Sequence, residues 1–95
     1  MAAYLIADVE ILDAAAFDEY RARVPAVIAA YGGRYLVRGG ATDVREGDWS
    51  PRRLIVLEFP SLGRARAFYA SPEYAPLLAL RERSARTRLV FAEGV

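Results

Sequence analysis

The segment that most constrains this chain is the six residues from Leu54 to Phe59 (LIVLEF), with Pro60 and Ser61 directly behind them. A run of β-branched, aliphatic and aromatic residues with one charge, Glu58, reads as a central strand covered on both faces. Pro60 has no amide to give to a ladder and ends it. Ser61 is a good N-cap, since its hydroxyl satisfies an orphan amide of the helix that follows. In that helix Leu62, Ala65, Phe68 and Tyr69 fall at helical spacing and give it one apolar face. Ser71 and Pro72 then restart the chain, because proline disfavours helical geometry at the residue before it and fits the first position of a new turn.

Around this segment the remaining elements fall into place. Ala3 to Ile11 alternates, with Leu5, Ala7, Val9 and Ile11 on one face and Tyr4, Ile6, Asp8 and Glu10 on the other, which is a strand. Asp13 caps a helix running to about Tyr31, with Phe17, Tyr20, Val24, Val27, Ile28 and Tyr31 as its apolar stripe, a kink expected at Pro25 and a stop at Gly32-Gly33. Arg34 to Arg38 is a short strand ended by Gly39-Gly40, and a polar connection carries the chain from Ala41 to Arg52. After Pro72 a helix runs to about Ala85, broken near Pro72 and Pro76, and Arg86 to Glu93 is the last strand. The order β-α-β-β-α-β predicts a single α+β domain over 1–95 of the ferredoxin-like kind. It has a four-stranded antiparallel sheet, helices on one face, and the first and third strands as a parallel central pair.

Composition narrows the chemistry. The chain has no His, Cys, Lys, Asn or Gln. Serine–histidine and cysteine–histidine nucleophiles, Schiff-base lysines, and imidazole or thiolate ligands for metal or haem are therefore all excluded. Any chemistry runs on Asp, Glu, Arg, Tyr, Ser, Thr, Trp or the backbone, and no metal or cofactor is expected. The 13 basic residues are all arginine, but 12 acids are interspersed and the net charge is +1, unlike the concentrated patch of a nucleic-acid binder. No run of about 18 apolar residues and no leader pattern is present, so neither a membrane partner nor export is expected. With no cysteine, the cytoplasm is the expected location.

The sharpest candidate pair is Asp8 with Glu58. If the first and third strands start level and run parallel, these carboxylates share a face and approach one another. Two such groups raise each other's tendency to hold a proton, as in an acid/base pair. Arg38, near the end of the second strand, then offsets that charge or clamps an anionic ligand. The competing reading makes both carboxylates members of structural ion pairs. Tyr4, Tyr35, Tyr69 and Tyr74 are candidate hydroxyl donors to a ligand, set against simple packing with a wet tip. Trp49 is either a loop anchor or part of a binding rim. Tyr4, Ile6, Leu54 and Val56 would leave an apolar face uncovered by helices, which a second copy of the chain would cover.

Five stretches together carry a family resemblance. They are the Asp8-Val9 strand, Tyr31 to Gly40 (YGGRYLVRGG), Gly47 to Arg53 with Trp49 and Pro51 (Asp48 separating Gly47 from Trp49), Leu57 to Ser61, and Tyr69 to Tyr74. The chain resembles domain-of-unknown-function family DUF1330, within the dimeric α+β barrel superfamily. The resemblance implies a homodimeric barrel, and the candidate residues lead to the expectation of a small cavity beside or between the sheets, lined by Asp8, Arg38, Glu58 and neighbouring aromatics. It fixes no activity: relatives in the superfamily include cofactor-independent monooxygenases, lactone isomerases and haem-binding proteins, and the haem branch relies on histidine. Two functions therefore compete. One is a small-metabolite-binding or structural module. The other is a cofactor-independent isomerase or monooxygenase using Asp8 and Glu58 on a small organic acid or aromatic.

Overall fold

The computed structural model describes all residues, Met1–Val95. Its elements are β1 (Ala3–Ile11), α1 (Ala14–Ala30), β2 (Arg34–Arg38), β3 (Leu54–Phe59), α2 (Leu62–Tyr69), α3 (Ala75–Ser84) and β4 (Ala85–Glu93). The capping chemistry is as the sequence dictates. The Asp13 carboxylate accepts from the Ala16 amide at 3.2 Å and the Ser61 hydroxyl from the Arg64 amide at 3.1 Å. The break between the last two helices is real: the Ser71 hydroxyl donates to the Phe68 carbonyl at 2.8 Å and accepts from the Tyr74 amide at 3.1 Å. Pro76 sits in the first turn of α3, where a missing amide costs nothing. Pro25, in contrast, lies within α1, which continues through it to Ala30.

The four strands form one open sheet in the order β2-β3-β1-β4. Every neighbouring pair is antiparallel, including the central one, where Tyr4 lies opposite Glu58 and Asp8 opposite Leu54. The expected parallel central pair is thus corrected, and the reason is topological. Helix α1 carries the chain back so that β2 runs in the same direction as β1, with room for one strand between them. The β2–β3 connection then reverses the chain into that gap, so β3 must oppose β1.

One face of the sheet is buried and the other is not. Along β1 burial alternates strictly, with Ala3, Leu5, Ala7 and Val9 inside. These residues join Leu57 and Phe59 of β3, Phe17, Val24 and Ile28 of α1, Ala65 and Phe68 of α2, and Tyr74 and Leu77 in a single core, so all three helices cover one face. The molecule measures 36 × 33 × 16 Å, and the short dimension is that of one sheet and one helix layer. On the bare face Tyr4, Ile6, Leu54 and Val56 are only partly covered, and Val90 is 58% exposed. No helix is long and apolar enough to cross a membrane.

Aromatic rings close the core. Phe68 is 1% exposed, with ring centroids 4.5 Å from Tyr74, 5.3 Å from Phe59 and 6.3 Å from Tyr31. It is where α2, the sheet and the start of α3 meet. Phe68→Ala is expected to cost about 3–5 kcal/mol. In a domain of this size that lowers the thermal midpoint by well over about 10 °C, which circular dichroism melting will measure.

Candidate functional site

The two carboxylates that the sequence singles out lie on the bare face of the sheet, and the antiparallel register separates them. Glu58 is opposite Tyr4, whereas Asp8 is four residues further along β1, about 13 Å away at ~3.3 Å per residue. Each has its own partner. Glu58 accepts from Arg34 Nε at 2.7 Å across the β2–β3 pair, with side-chain exposures of 25% for Glu58 and 70% for Arg34. Asp8 accepts from the Trp49 indole N–H and from the Arg52 amide, both at 2.9 Å. It thereby ties the connection between β2 and β3 to the central strand. Those bonds, the Trp49 one first, outweigh the cost of burial, and with help from the Arg88 charge they hold the Asp8 carboxyl below its ordinary range. Trp49 remains 51% exposed, so its nitrogen is anchored while much of its ring faces outward.

Arg38 and Tyr35 are on the other side of the sheet. A register shift between Tyr35 and Val37 sets Tyr35 opposite Leu57 and Arg38 opposite Ile55, both on the helix-facing side of β3. The Arg38 guanidinium lies over the Tyr35 ring at 4.5 Å, a cation–π contact. Among the residues expected at a site, Asp8 and Trp49 are therefore brought together, Arg38 and Tyr35 are brought together on the opposite face, and Tyr4 accompanies Glu58. They do not line one cavity.

A cavity of about 50 Å³ lies between α1 and the sheet, with a wall that is mostly apolar. Its polar lining is Tyr20, Tyr35, Tyr74 and four arginines, Arg21, Arg38, Arg53 and Arg81, and it has no carboxylate. Arg21 pairs with Asp18 outside. Arg38, Arg53 and Arg81 take part in none of the ion pairs of the molecule. Arg81 is 7% exposed, and its only partners are phenols: Tyr74 Oη at 3.0 Å and Tyr69 Oη at 3.5 Å. The Tyr74 hydroxyl also shares a 2.8 Å hydrogen bond with Tyr20, and burial pushes it far above the usual phenol range. Burial together with the neighbouring Arg21 and Arg38 charges lowers the affinity of Arg53 for its proton. Arg53 Nε and Arg81 Nε are both buried without a hydrogen-bond partner.

Arg53 is seated by Gly39. That glycine has φ of 70°, and a side chain there would strike the Arg53 guanidinium. Sequence reasoning left Arg53 unremarked, although it falls in the same alternation as Ile55 and Leu57 and so had to face the helices. From the sequence alone Arg81 fits a surface pair with Glu73 or Glu82 as well as it fits the cavity. The spacing of seven residues from Tyr74 to Arg81, two helical turns, was the available signal.

Since Asp8 titrates below its ordinary value of about 3.9, its hold on the loop is complete above about pH 4 and is lost as pH falls through the depressed native value. Trp49 is the only tryptophan, so its fluorescence reports this directly. The emission is expected to shift to the red on acidification below about pH 4. Asp8→Asn is expected to produce the same shift at neutral pH at a cost of about 1 kcal/mol.

No curated protein matches the chain. Among solved structures, a protein of unknown function from Rhodopseudomonas palustris is 17% identical with a TM-score of 0.76, over 99% of this chain and 82% of that one. SnoaB, a cofactor-independent oxygenase from Streptomyces nogalater, is 16% identical with a TM-score of 0.66, over 99% of this chain and 93% of that one. A dimeric ferredoxin-like protein of unknown function from Jannaschia sp. CCS1 is 15% identical with a TM-score of 0.67, over 99% of this chain and all of the other. The fold is thus ferredoxin-like. The model of the family described as Domain of unknown function (DUF1330) matches residues 2–95, and the chain belongs to that family.

Proposed function

We propose that this protein is a homodimeric module, one domain per chain and working in the cytoplasm, that binds a small organic anion in the cavity between α1 and the sheet. The observation that carries the reading is the wall of that cavity: apolar surface with guanidinium groups and no carboxylate to neutralise them. A buried cation without a counterion is costly, and a bound carboxylate would relieve that cost through charge-assisted hydrogen bonds. Size limits the ligand. At about 50 Å³ the cavity is far below the roughly 300–1,000 Å³ of drug-sized sites, so it suits a short aliphatic acid rather than a fused-ring substrate.

This reading assigns Asp8 to holding the Trp49 loop and Glu58 to its pair with Arg34, and gives neither a proton-transfer role. The alternative of a cofactor-independent enzyme draws on the likeness to SnoaB, which at this identity concerns the fold alone. Self-association is supported by the bare sheet face carrying Tyr4, Ile6, Leu54, Val56 and the half-exposed Trp49. The Jannaschia relative, which is dimeric, has the same fold. Two such faces closing about a two-fold axis would give the α+β barrel.

Light scattering at micromolar concentration is expected to give twice the chain mass, and Ile6→Asp to give a monomer that keeps its circular dichroism. A monomeric parent protein would overturn the dimer. Calorimetric titration with short-chain monocarboxylates such as butyrate is expected to show binding that Arg38→Gln, at an exposed position, weakens by about tenfold. Absence of binding by any short acid would overturn the cavity reading. Conversion of a bound acid, followed by mass spectrometry, would move the protein to the enzyme class.

A further inference from the structure

The positive groups of the cavity are not spread evenly around it. They stand at its two ends. One end is formed over β2 and β3, where Arg38 lies opposite Ile55 and Arg53 precedes Leu54, its carbonyl bonded to the Val9 amide at 3.0 Å. The other end is formed over β4 and α3 by Arg81, together with the Tyr74 and Tyr69 hydroxyls that hold it. Apolar side chains lie between: Ala7 and Val9 on β1, Ile55 on β3 and Leu89 on β4. Neighbouring strands are spaced by about 4.8 Å, so β3 and β4, with β1 between them, lie about 10 Å apart. A short chain with an acid group at each end could span guanidinium groups that reach inward from elements this far apart.

Each end also carries an unfilled donor. Arg53 Nε and Arg81 Nε are both buried and without partners, and Arg81 is more than nine-tenths buried. At the Arg81 end the guanidinium also borders an open cleft beside β4. There the Thr87 hydroxyl is a further buried group with no hydrogen-bond partner. A single carboxylate engages one end and leaves the charge at the other uncompensated. Building on the proposed binding role of the cavity, we propose that its ligand is a short dicarboxylate. One acid group is held by Arg38 and Arg53 and the other by Arg81, across an apolar middle of two or three carbons.

The mutual repulsion at the Arg38–Arg53 end fits this assignment. Burial first, and then the Arg21 and Arg38 charges, disfavour the charged form of Arg53, and an anion placed among these guanidinium groups favours it. Gly39 adds a structural argument, because its missing side chain is what lets the Arg53 guanidinium lie under the end of β2. The Arg81 end is rigid for a different reason, being fixed by phenols that are themselves locked in the core.

The test is a calorimetric comparison, on the full chain, of succinate and glutarate with butyrate and valerate, the monocarboxylates of equal carbon number. The diacids are expected to bind at least about tenfold tighter than their matched monoacids. In Arg53→Gln both classes are expected to lose affinity, the diacids by at least about tenfold more, so that the preference vanishes because only the diacids lose a second anchor. Arg81→Lys, which keeps the charge but not the fork of donors, is expected to weaken the diacids more than the monoacids and so to remove the same preference. It is also the second variant, should Arg53→Gln lose its circular dichroism spectrum. Equal affinities for diacid and monoacid would overturn the dicarboxylate assignment while leaving the binding role standing. A diacid preference that survives in both variants would overturn the assignment of its two ends. No binding of either class would overturn the binding role itself.

Discussion

The buried hydroxyl of Tyr74 is the group on which the helix side of this molecule depends. The ring is 1% exposed and packs against Phe68 and Tyr69, so it belongs to the core. Its oxygen has to be satisfied in a place where water is scarce, and Tyr20 and Arg81 do so from α1 and α3. Satisfying that one oxygen therefore brings a cation into the interior and fixes the two helices against one another. A core of this size is modest, with 18 residues buried, so a buried polar network that is expensive to break is a large share of what specifies the arrangement. Core and cavity are accordingly one structure: the groups that line the cavity are those that close the core.

Net charge conceals this. At +1 the chain is electrostatically bland, and its acids and arginines are interspersed along the sequence. Folding sorts them. Glu10, Asp18, Glu19, Asp43 and Glu58 all find arginines at the surface or on the bare face, whereas the cavity wall receives arginine alone. Guanidinium suits such a place because it is weakly hydrated and remains charged when buried, which lysine does not.

Much of the architecture is legible in local chemistry. The strict alternation of Ala3 to Ile11, the caps at Asp13, Ser61 and Ser71, and the proline after Phe59 each fix an element by interactions within a few residues. What could not be read was the relation between strands. The pairing of Asp8 with Glu58 assumed a parallel neighbour, and one wrong direction moved two carboxylates from adjacent to far apart although both faces were assigned correctly. The register shift in β2 had a similar effect, turning Arg38 to the helix side, away from the carboxylates it was expected to serve. Arg53 goes unmarked in the sequence, and Arg81 is readable equally as a surface or a cavity residue, because an arginine is ordinarily exposed and local spacing alone does not say which one the fold will bury.

Helix α3 ends at Ser84 and β4 begins at Ala85, with no loop between them. The Ser84 carbonyl receives the Leu12 amide at 2.8 Å and the Asp13 amide at 3.0 Å, and its hydroxyl bonds back to the Leu80 carbonyl at 2.8 Å, so the junction is nailed to the start of α1. Such a join has no slack. One residue inserted there cannot be absorbed by a turn, and it would slide β4 along β1 by a single step. Since side chains alternate across a strand, that step would carry Thr87, Leu89 and Phe91 to the bare face and bring Arg88 and Val90 under the helices. Lineages carrying this fold should therefore vary freely in the length of the connection after β2 and hold the spacing between Arg81 and Leu89 constant.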